Sequence, residues 1–192
     1  MAQIPIKAAK HLVLALALTG LNACQSGGSG RLMPKSAPGV SLSRASVDGD
    51  IATLERSPLT ISVRGFWASN GGQSLYVTYR NTSQKRLSVP MEGWTLAARD
   101  AAAPLTDLVD VTGTDIAAAP PPTDGPYRLF TTGDAAARPL VVPPGESRSL
   151  SVGFARFGPE GREPVVGTEV EARIPTQDST VRLRFTCAGG VG

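Results

Sequence analysis

The feature that most constrains this chain is an alternation of apolar and polar residues along much of its length. In the segment Leu59–Trp67 the odd positions are mostly apolar and the even positions mostly polar. The same alternation returns in the segments 75–80, 150–154, 169–174 and 181–186. A period of two directs one face of an extended strand to a core and the other to water. The pattern therefore predicts antiparallel β-strands.

Turn signals separate these strands. Ser69-Asn70-Gly71-Gly72 follows the first strand and predicts a hairpin with the second. We expect two shorter strands at 86–90 and 94–99, a helical turn or two at most within 104–111, and a long surface connection over 113–126. Because a single sheet would leave its apolar face uncovered, the fold class predicted for residues 58–188 is all-β, an antiparallel β-sandwich.

Two short motifs carry a resemblance to a known class of domain. Asn81-Thr82-Ser83 ends one strand, and Pro143-Pro144-Gly145-Glu146 opens a late one. In this arrangement, residues 59–187 resemble the immunoglobulin-like domains of bacterial surface lipoproteins. The resemblance implies an immunoglobulin-like β-sandwich but no particular activity, because such domains serve many roles. The cysteine and tryptophan set of antibody domains is missing.

The first residues have the layout of an export signal. Lys7 and Lys10 precede the apolar run 12–18, which is too short to span a bilayer, since a span needs about 20 apolar residues. Leu21-Asn22-Ala23-Cys24 follows and resembles the lipobox of bacterial lipoproteins. The resemblance implies that residues 1–23 are a cleaved signal peptide and that Cys24 is lipidated, carrying palmitate.

The residues after Cys24 indicate a location and a tether. Gln25, rather than aspartate, follows the cysteine, and by resemblance to Gram-negative lipoproteins this favours the outer membrane. Glycine, serine and proline are frequent up to Ser57, so residues 24–57 are expected to be a flexible tether. We expect a lipid-anchored domain that faces the periplasm or is exposed at the surface, with a disordered tail at 189–192.

The composition of the mature chain excludes several kinds of chemistry. The single histidine is His11, within the signal. Without histidine the domain cannot use serine–histidine or cysteine–histidine nucleophiles and lacks the usual zinc and copper ligands. The aspartates at 48, 50, 107, 110 and 115 lack the ordered spacing of a calcium loop. No enzymatic activity, metal or cofactor is therefore predicted.

The charge balance gives no indication of nucleic-acid binding. The chain has 19 basic and 16 acidic residues, and removal of Lys7 and Lys10 with the signal brings it close to neutral. Nucleic-acid binding needs clustered cations that neutralise phosphates. The outward-facing charges Glu169, Glu171, Arg182 and Arg184 are expected to form cross-strand pairs, although as an exposed stripe they could also meet a partner.

The phase of the alternation sorts the remaining candidate residues. Cys187 falls on an apolar face and is expected to be buried and unreactive, and Trp67, Trp94 and Tyr79 are expected in the core. Tyr76 has the opposite phase, as have Arg64 and Phe66 across the hairpin. Exposed tyrosine, phenylalanine and arginine are enriched at protein interfaces. Arg64, Phe66 and Tyr76 therefore form the candidate interaction patch.

These observations lead to one expected function and one alternative. We expect a lipid-anchored, non-enzymatic envelope protein that acts through protein–protein contacts in envelope assembly or in a secretion or conjugation apparatus. The partners are the membrane, through the N-terminal lipid, and an unidentified protein. The alternative is a periplasmic module that binds a small ligand or a glycan. A deep polar pocket would favour the alternative, whereas a flat apolar edge strand would favour a protein partner.

The assignment of Cys24 leads to a first test. Palmitate labelling in the native host should be strong for the wild-type chain and absent for Cys24→Ala, because acylation needs this thiol. The measurement is radiolabelled or alkyne-palmitate incorporation followed by electrophoresis. Cys187→Ala is the matched control and should label like wild type. Equal labelling of the Cys24→Ala chain would contradict the lipobox assignment.

Overall fold

The protein is described by a computed structural model. The structure describes residues 30–45, 49–67, 72–99, 101–113, 128–130, 139–157 and 166–189. This part of the chain contains fourteen strands and no helix, and every strand pairing is antiparallel. The predicted all-β class is therefore confirmed.

The strands follow one another at short intervals along the chain. In chain order they are β1 (Arg31–Pro34), β2 (Val40–Ala45), β3 (Gly49–Arg56), β4 (Leu59–Trp67), β5 (Gln73–Asn81), β6 (Leu87–Val89), β7 (Thr95–Ala98), β8 (Ala101–Ala103), β9 (Leu105–Asp110), β10 (Arg128–Phe130), β11 (Leu140–Val142), β12 (Ser147–Phe154), β13 (Glu169–Pro175) and β14 (Thr180–Ala188).

Twelve of the strands form one hydrogen-bonded sheet with two arms. The first arm has the order β10-β9-β12-β5-β4, with β3 and then β2 added beside β4. The second arm has the order β14-β13-β7-β8, and β1 joins the two arms. The remaining strands, β6 and β11, pair with each other. The predicted hairpin is confirmed as β4 and β5, whose register runs without a bulge from Leu59↔Asn81 to Trp67↔Gln73.

Strand β1 connects the arms because it pairs on both of its edges. Its full length pairs with β14, and Arg31 and Leu32 also lie opposite Phe66 and Gly65 of β4. Leu32 packs directly over Gly65, where an added Cβ would lie 2.6 Å from the Leu32 Cβ. Glycine at position 65 therefore allows the two strands to approach this closely.

The two arms enclose a single core. The Tyr79 hydroxyl of β5 donates a hydrogen bond of 2.8 Å to the carbonyl oxygen of Pro175 in β13. These strands are four positions apart in the sheet, which would separate them by about 19 Å if the sheet were flat. The sheet must therefore curve until its arms face each other. Burial raises the pKa of the Tyr79 phenol well above its usual value.

The sequence phase locates most of the core correctly. Tyr79 and Trp94 are buried as predicted, and so is Cys187, which is 1% exposed. The side chain of Trp67 lies outside the described residues. The core is completed by β6 and β11, whose apolar positions Leu87, Val89, Leu140 and Val142 are also buried.

The predicted tether is wrong from Arg31 onward. Residues within the range 31–56 form β1, β2 and β3. Strand β1 pairs with β14 and β4, β3 pairs with β4, and β2 pairs with β3. Proline and serine suggested an irregular segment, but the partners that complete the backbone hydrogen bonds of β1 lie at the other end of the chain. The β-domain therefore includes strands within the range 31–56, which the prediction assigned to the tether. Residues 1–29, including the predicted signal and Cys24, lie outside the described residues.

A second correction concerns the segment 104–111. We expected a helical turn there, but Leu105–Asp110 forms β9, paired with both β10 and β12. The register of β9 against β12 shifts between Gly153 and Phe154. The residues of β9 therefore do not follow the regular alternation by which the other strands were predicted. The predicted surface connection at 113–126 lies outside the described residues after Gly113.

The close contact of β1 with β4 leads to a second test. Gly65→Ala should lower the free energy of unfolding by about 1–3 kcal/mol, because the new methyl group overlaps the Leu32 Cβ and the backbone must shift. Urea unfolding followed by tryptophan fluorescence measures the change. Ser74→Ala, at a half-buried position of β5, is the control and should change stability by less. Equal stability of Gly65→Ala and wild type would contradict the close packing.

Candidate functional site

The three residues of the predicted patch do come together. Arg64 lies directly opposite Tyr76 in the pairing of β4 with β5, and Phe66 lies two pairs further along, opposite Ser74. The rings of Phe66 and Tyr76 meet edge to face, with centroids 5.3 Å apart and planes at 86°. The Arg64 guanidinium carbon lies 5.1 Å from the Phe66 ring centroid, within cation–π range. The hairpin therefore assembles the patch that the phase predicted.

The exposure predicted for this patch is wrong. Arg64 is 3% exposed and Tyr76 is 8% exposed, while Phe66 is half-buried. Tyr76 lies between Arg64 on one side and Ser151 of β12 on the other, and Ser151 is itself buried. Alternation assigns a residue to a face of the sheet, but it does not determine how much water reaches that face. A role in partner binding stays a prediction for Phe66 alone.

Strand β2 is an exposed edge that the sequence interpretation missed. In the described part of the chain it pairs with β3 only, and the side chains from Ser41 to Arg44 are exposed. Leu42 is 40% exposed although it shares the face of the buried Ala52. The alternation Val40-Ser41-Leu42-Ser43 was the signal that could have revealed this strand.

The outward face of β13 and β14 carries a group of ion pairs. The Glu171 carboxylate lies 3.8 Å from Nε of Arg173, 3.9 Å from Nε of Arg182 and 3.8 Å from Nε of Arg184. Arg182 and Arg184 belong to the neighbouring strand, so the predicted cross-strand pairing is confirmed for Glu171.

Glu169, on the same face, pairs with a lysine from beyond β1. Lys35 donates a hydrogen bond to the Glu169 carboxylate. This hydrogen bond and the lysine charge, with a smaller contribution from Arg184, lower the pKa of Glu169. The Glu169 carboxylate therefore stays ionised and forms an ion pair with the Lys35 ammonium group.

Two grooves border these elements, and both are partly open to solvent. The larger, of about 520 Å³, lies between the charged face of β13–β14 and the small side chains of β7–β8. The smaller, of about 290 Å³, lies between the turn at 55–59 and the turn at 176–179.

The described aspartates among those considered as calcium ligands form hydrogen bonds with nearby residues or an ion pair. Asp110 accepts hydrogen bonds from the backbone amide and hydroxyl of Thr112, and Asp107 accepts one from the Thr106 hydroxyl. Asp50 lies 3.9 Å from the Arg44 Nε. The described residues contain no group of three or more potential metal ligands. Asp48 and Asp115 lie outside these residues.

We find no match to this chain among protein families, curated proteins or solved structures. In the part of the chain that the structure describes, no helix has the length and apolar character needed to cross a membrane.

The burial of Tyr76 leads to a third test. Tyr76→Ala should lower the free energy of unfolding by about 3 kcal/mol, because it removes a buried ring and its contact with Phe66. Thermal or urea unfolding measures this change. Val141→Ala, at a position that is 40% exposed, is the control and should stay within about 0.5 kcal/mol of wild type. A Tyr76→Ala protein as stable as the control would show that the ring contributes little to the fold.

Proposed function

We propose that this chain is a lipid-anchored, non-enzymatic envelope protein whose β-domain binds a protein partner by strand addition at β2. In this proposal Cys24 carries the lipid and the domain belongs to the outer membrane. The contacts serve envelope assembly or a secretion or conjugation apparatus.

Two turns support the finer proposal that the domain is immunoglobulin-like. The Asn81 carboxamide oxygen accepts hydrogen bonds from the backbone amide and hydroxyl of Ser83, which turns the chain at the end of β5. Gly145 has a φ of 71°, and the Glu146 amide donates to the Pro143 carbonyl immediately before β12 begins. These are the two motifs that carry the resemblance, and both act as strand-ending turns.

The observation that carries the protein-binding proposal is the exposed edge of β2. An edge strand presents backbone N–H and C=O groups that a strand from another protein can pair with. Folded proteins commonly protect such edges with charges, prolines or covering loops. Between Val40 and Ser43 this strand has two apolar and two hydroxyl side chains, and its charged residue, Arg44, comes near the end. Leu42 provides an apolar contact beside the backbone groups.

The grooves favour a protein partner over a small ligand. Small-molecule sites are concave and bury most of the ligand surface. The two grooves described above are partly open to solvent, and most of the side chains that line them are charged, polar or small. An extended protein segment can bind to such surfaces, because it makes many contacts along its length.

The edge-strand proposal can be tested by site-specific photo-crosslinking in native membranes. A photoreactive amino acid at Ser43 should give a discrete product in the otherwise wild-type chain. Leu42→Lys should reduce its yield about tenfold, or about 1.4 kcal/mol of binding free energy, because lysine replaces the apolar contact with a solvated charge. The measurement is immunoblotting against the tagged lipoprotein, with mass spectrometry of the product.

Val141→Lys is the matched control, since Val141 is an equally exposed apolar residue on a different strand. It should leave the Ser43 product unchanged. A product of twice the chain mass would identify the partner as a second copy. The proposal fails if Leu42→Lys and Val141→Lys give the same yield, or if no product forms from Ser43.

A further inference from the structure

The outward face of the second arm combines a row of arginines with a strip of small side chains. Ala102, Ala97, Glu171 and Arg184 lie side by side across β8, β7, β13 and β14. A parallel row contains Thr95, Arg173 and Arg182. In both rows small side chains lie next to long charged ones. The residues of these rows line the 520 Å³ groove, except Arg182, which lies beside Arg173 on the neighbouring strand.

The positive charge of this face exceeds its negative charge among the described residues. Three guanidinium groups surround the single carboxylate of Glu171, and Arg99 adds a fourth guanidinium at the turn after β7. Glu169 also lies on this face, but its charge is balanced by that of Lys35, with which it forms an ion pair. One carboxylate neutralises one charge, and the groove therefore has a surplus of positive charge.

The arginines retain their capacity to donate hydrogen bonds. Their Nε atoms lie 3.8–3.9 Å from the Glu171 oxygens, which exceeds the length of a hydrogen bond. The side chains of Arg173, Arg182 and Arg184 are also exposed. Guanidinium groups bind carboxylates through paired N–H donors when such donors are available. These arginines are thus suited to bind carboxylates of another molecule.

We propose that this groove binds an extended acidic segment of a protein partner, with carboxylates at alternate residues. Arg182 and Arg184 are two residues apart on one strand, which spaces them by about 7 Å. Alternate carboxylates of an extended chain have the same spacing. The small side chains Thr95, Ala97 and Ala102 leave room for the backbone of that segment beside the arginines.

An acidic protein segment fits this face better than a membrane or a nucleic acid does. Glu169 and Glu171 lie among the cations, so a continuous layer of phosphates would bring negative charges against both carboxylates. A peptide can place neutral residues opposite them. Arg99, Arg173 and Arg184 also line the groove, where a narrow chain reaches them more readily than a flat bilayer does.

The test uses the full chain purified in a non-ionic detergent and a fluorescent peptide that alternates glutamate with threonine. Fluorescence anisotropy at low ionic strength should show saturable binding that is lost at about 1 M salt, because salt screens exposed charges. Arg182→Gln combined with Arg184→Gln should weaken binding about tenfold. A peptide with lysine in place of glutamate should not bind.

Arg80→Gln combined with Arg86→Gln is the matched control, since it removes the same charge from exposed positions elsewhere. It should bind the acidic peptide like wild type, and both double variants should keep the wild-type melting temperature. Arg173→Gln is a second groove variant and should weaken binding even if the first pair fails to fold. Leu42→Lys should bind normally, which separates this proposal from that of the β2 edge.

Three results would overturn the proposal. The first is equal peptide affinity for the groove and control variants. The second is equal binding of a peptide whose glutamates are grouped in one block, which would indicate non-specific attraction. The third is binding to phosphatidylglycerol vesicles, but not to the peptide, that depends on Arg182 and Arg184, since the face would then be a membrane contact.

Discussion

The double pairing of strand β1 is the constraint on which the rest of the fold depends. This four-residue strand lies between β4 and β14, and without it the two arms of the sheet would share no hydrogen-bonded neighbour in the described order. The side chain of Leu32 occupies the space left by the missing side chain of Gly65. A very short segment thus determines how the two halves of the molecule meet, and a residue without a side chain makes this possible.

Once the arms are joined, the curvature of the sheet creates two different outward surfaces. On the first arm Arg64 and Tyr76 are buried, and the Tyr76 ring packs edge to face against the Phe66 ring. The second arm leaves its arginines exposed beside small side chains. The edge at β2 belongs to neither surface, and in the described part of the chain it pairs with β3 only. The proposed binding surfaces are therefore attached to a common core but can be altered separately.

The sequence predicts those parts of the fold that depend on local pattern. Alternation located β4, β5, β12, β13 and β14 and assigned Tyr79, Trp94 and Cys187 to the core. It missed β1, whose partners β4 and β14 are distant in sequence. It also missed β2 and β3, although they pair with each other and β3 pairs with the next strand along the chain, β4. It also placed Arg64, Phe66 and Tyr76 together correctly but judged the exposure of Arg64 and Tyr76 wrongly. Phase is a property of one strand, whereas exposure depends on everything packed around it.

The position of β1 has a mechanical consequence for an anchored protein. Only six residues separate Cys24 from Arg31, and a chain of that length reaches at most about 25 Å even when fully stretched. With a lipid on Cys24, a pull between the bilayer and a bound partner would enter the domain at the first residue of β1. Force along a strand loads its ladder in shear, so the bonds to β14 would resist together instead of opening one at a time. The strand that joins the two arms would then also be the point where the domain bears tension.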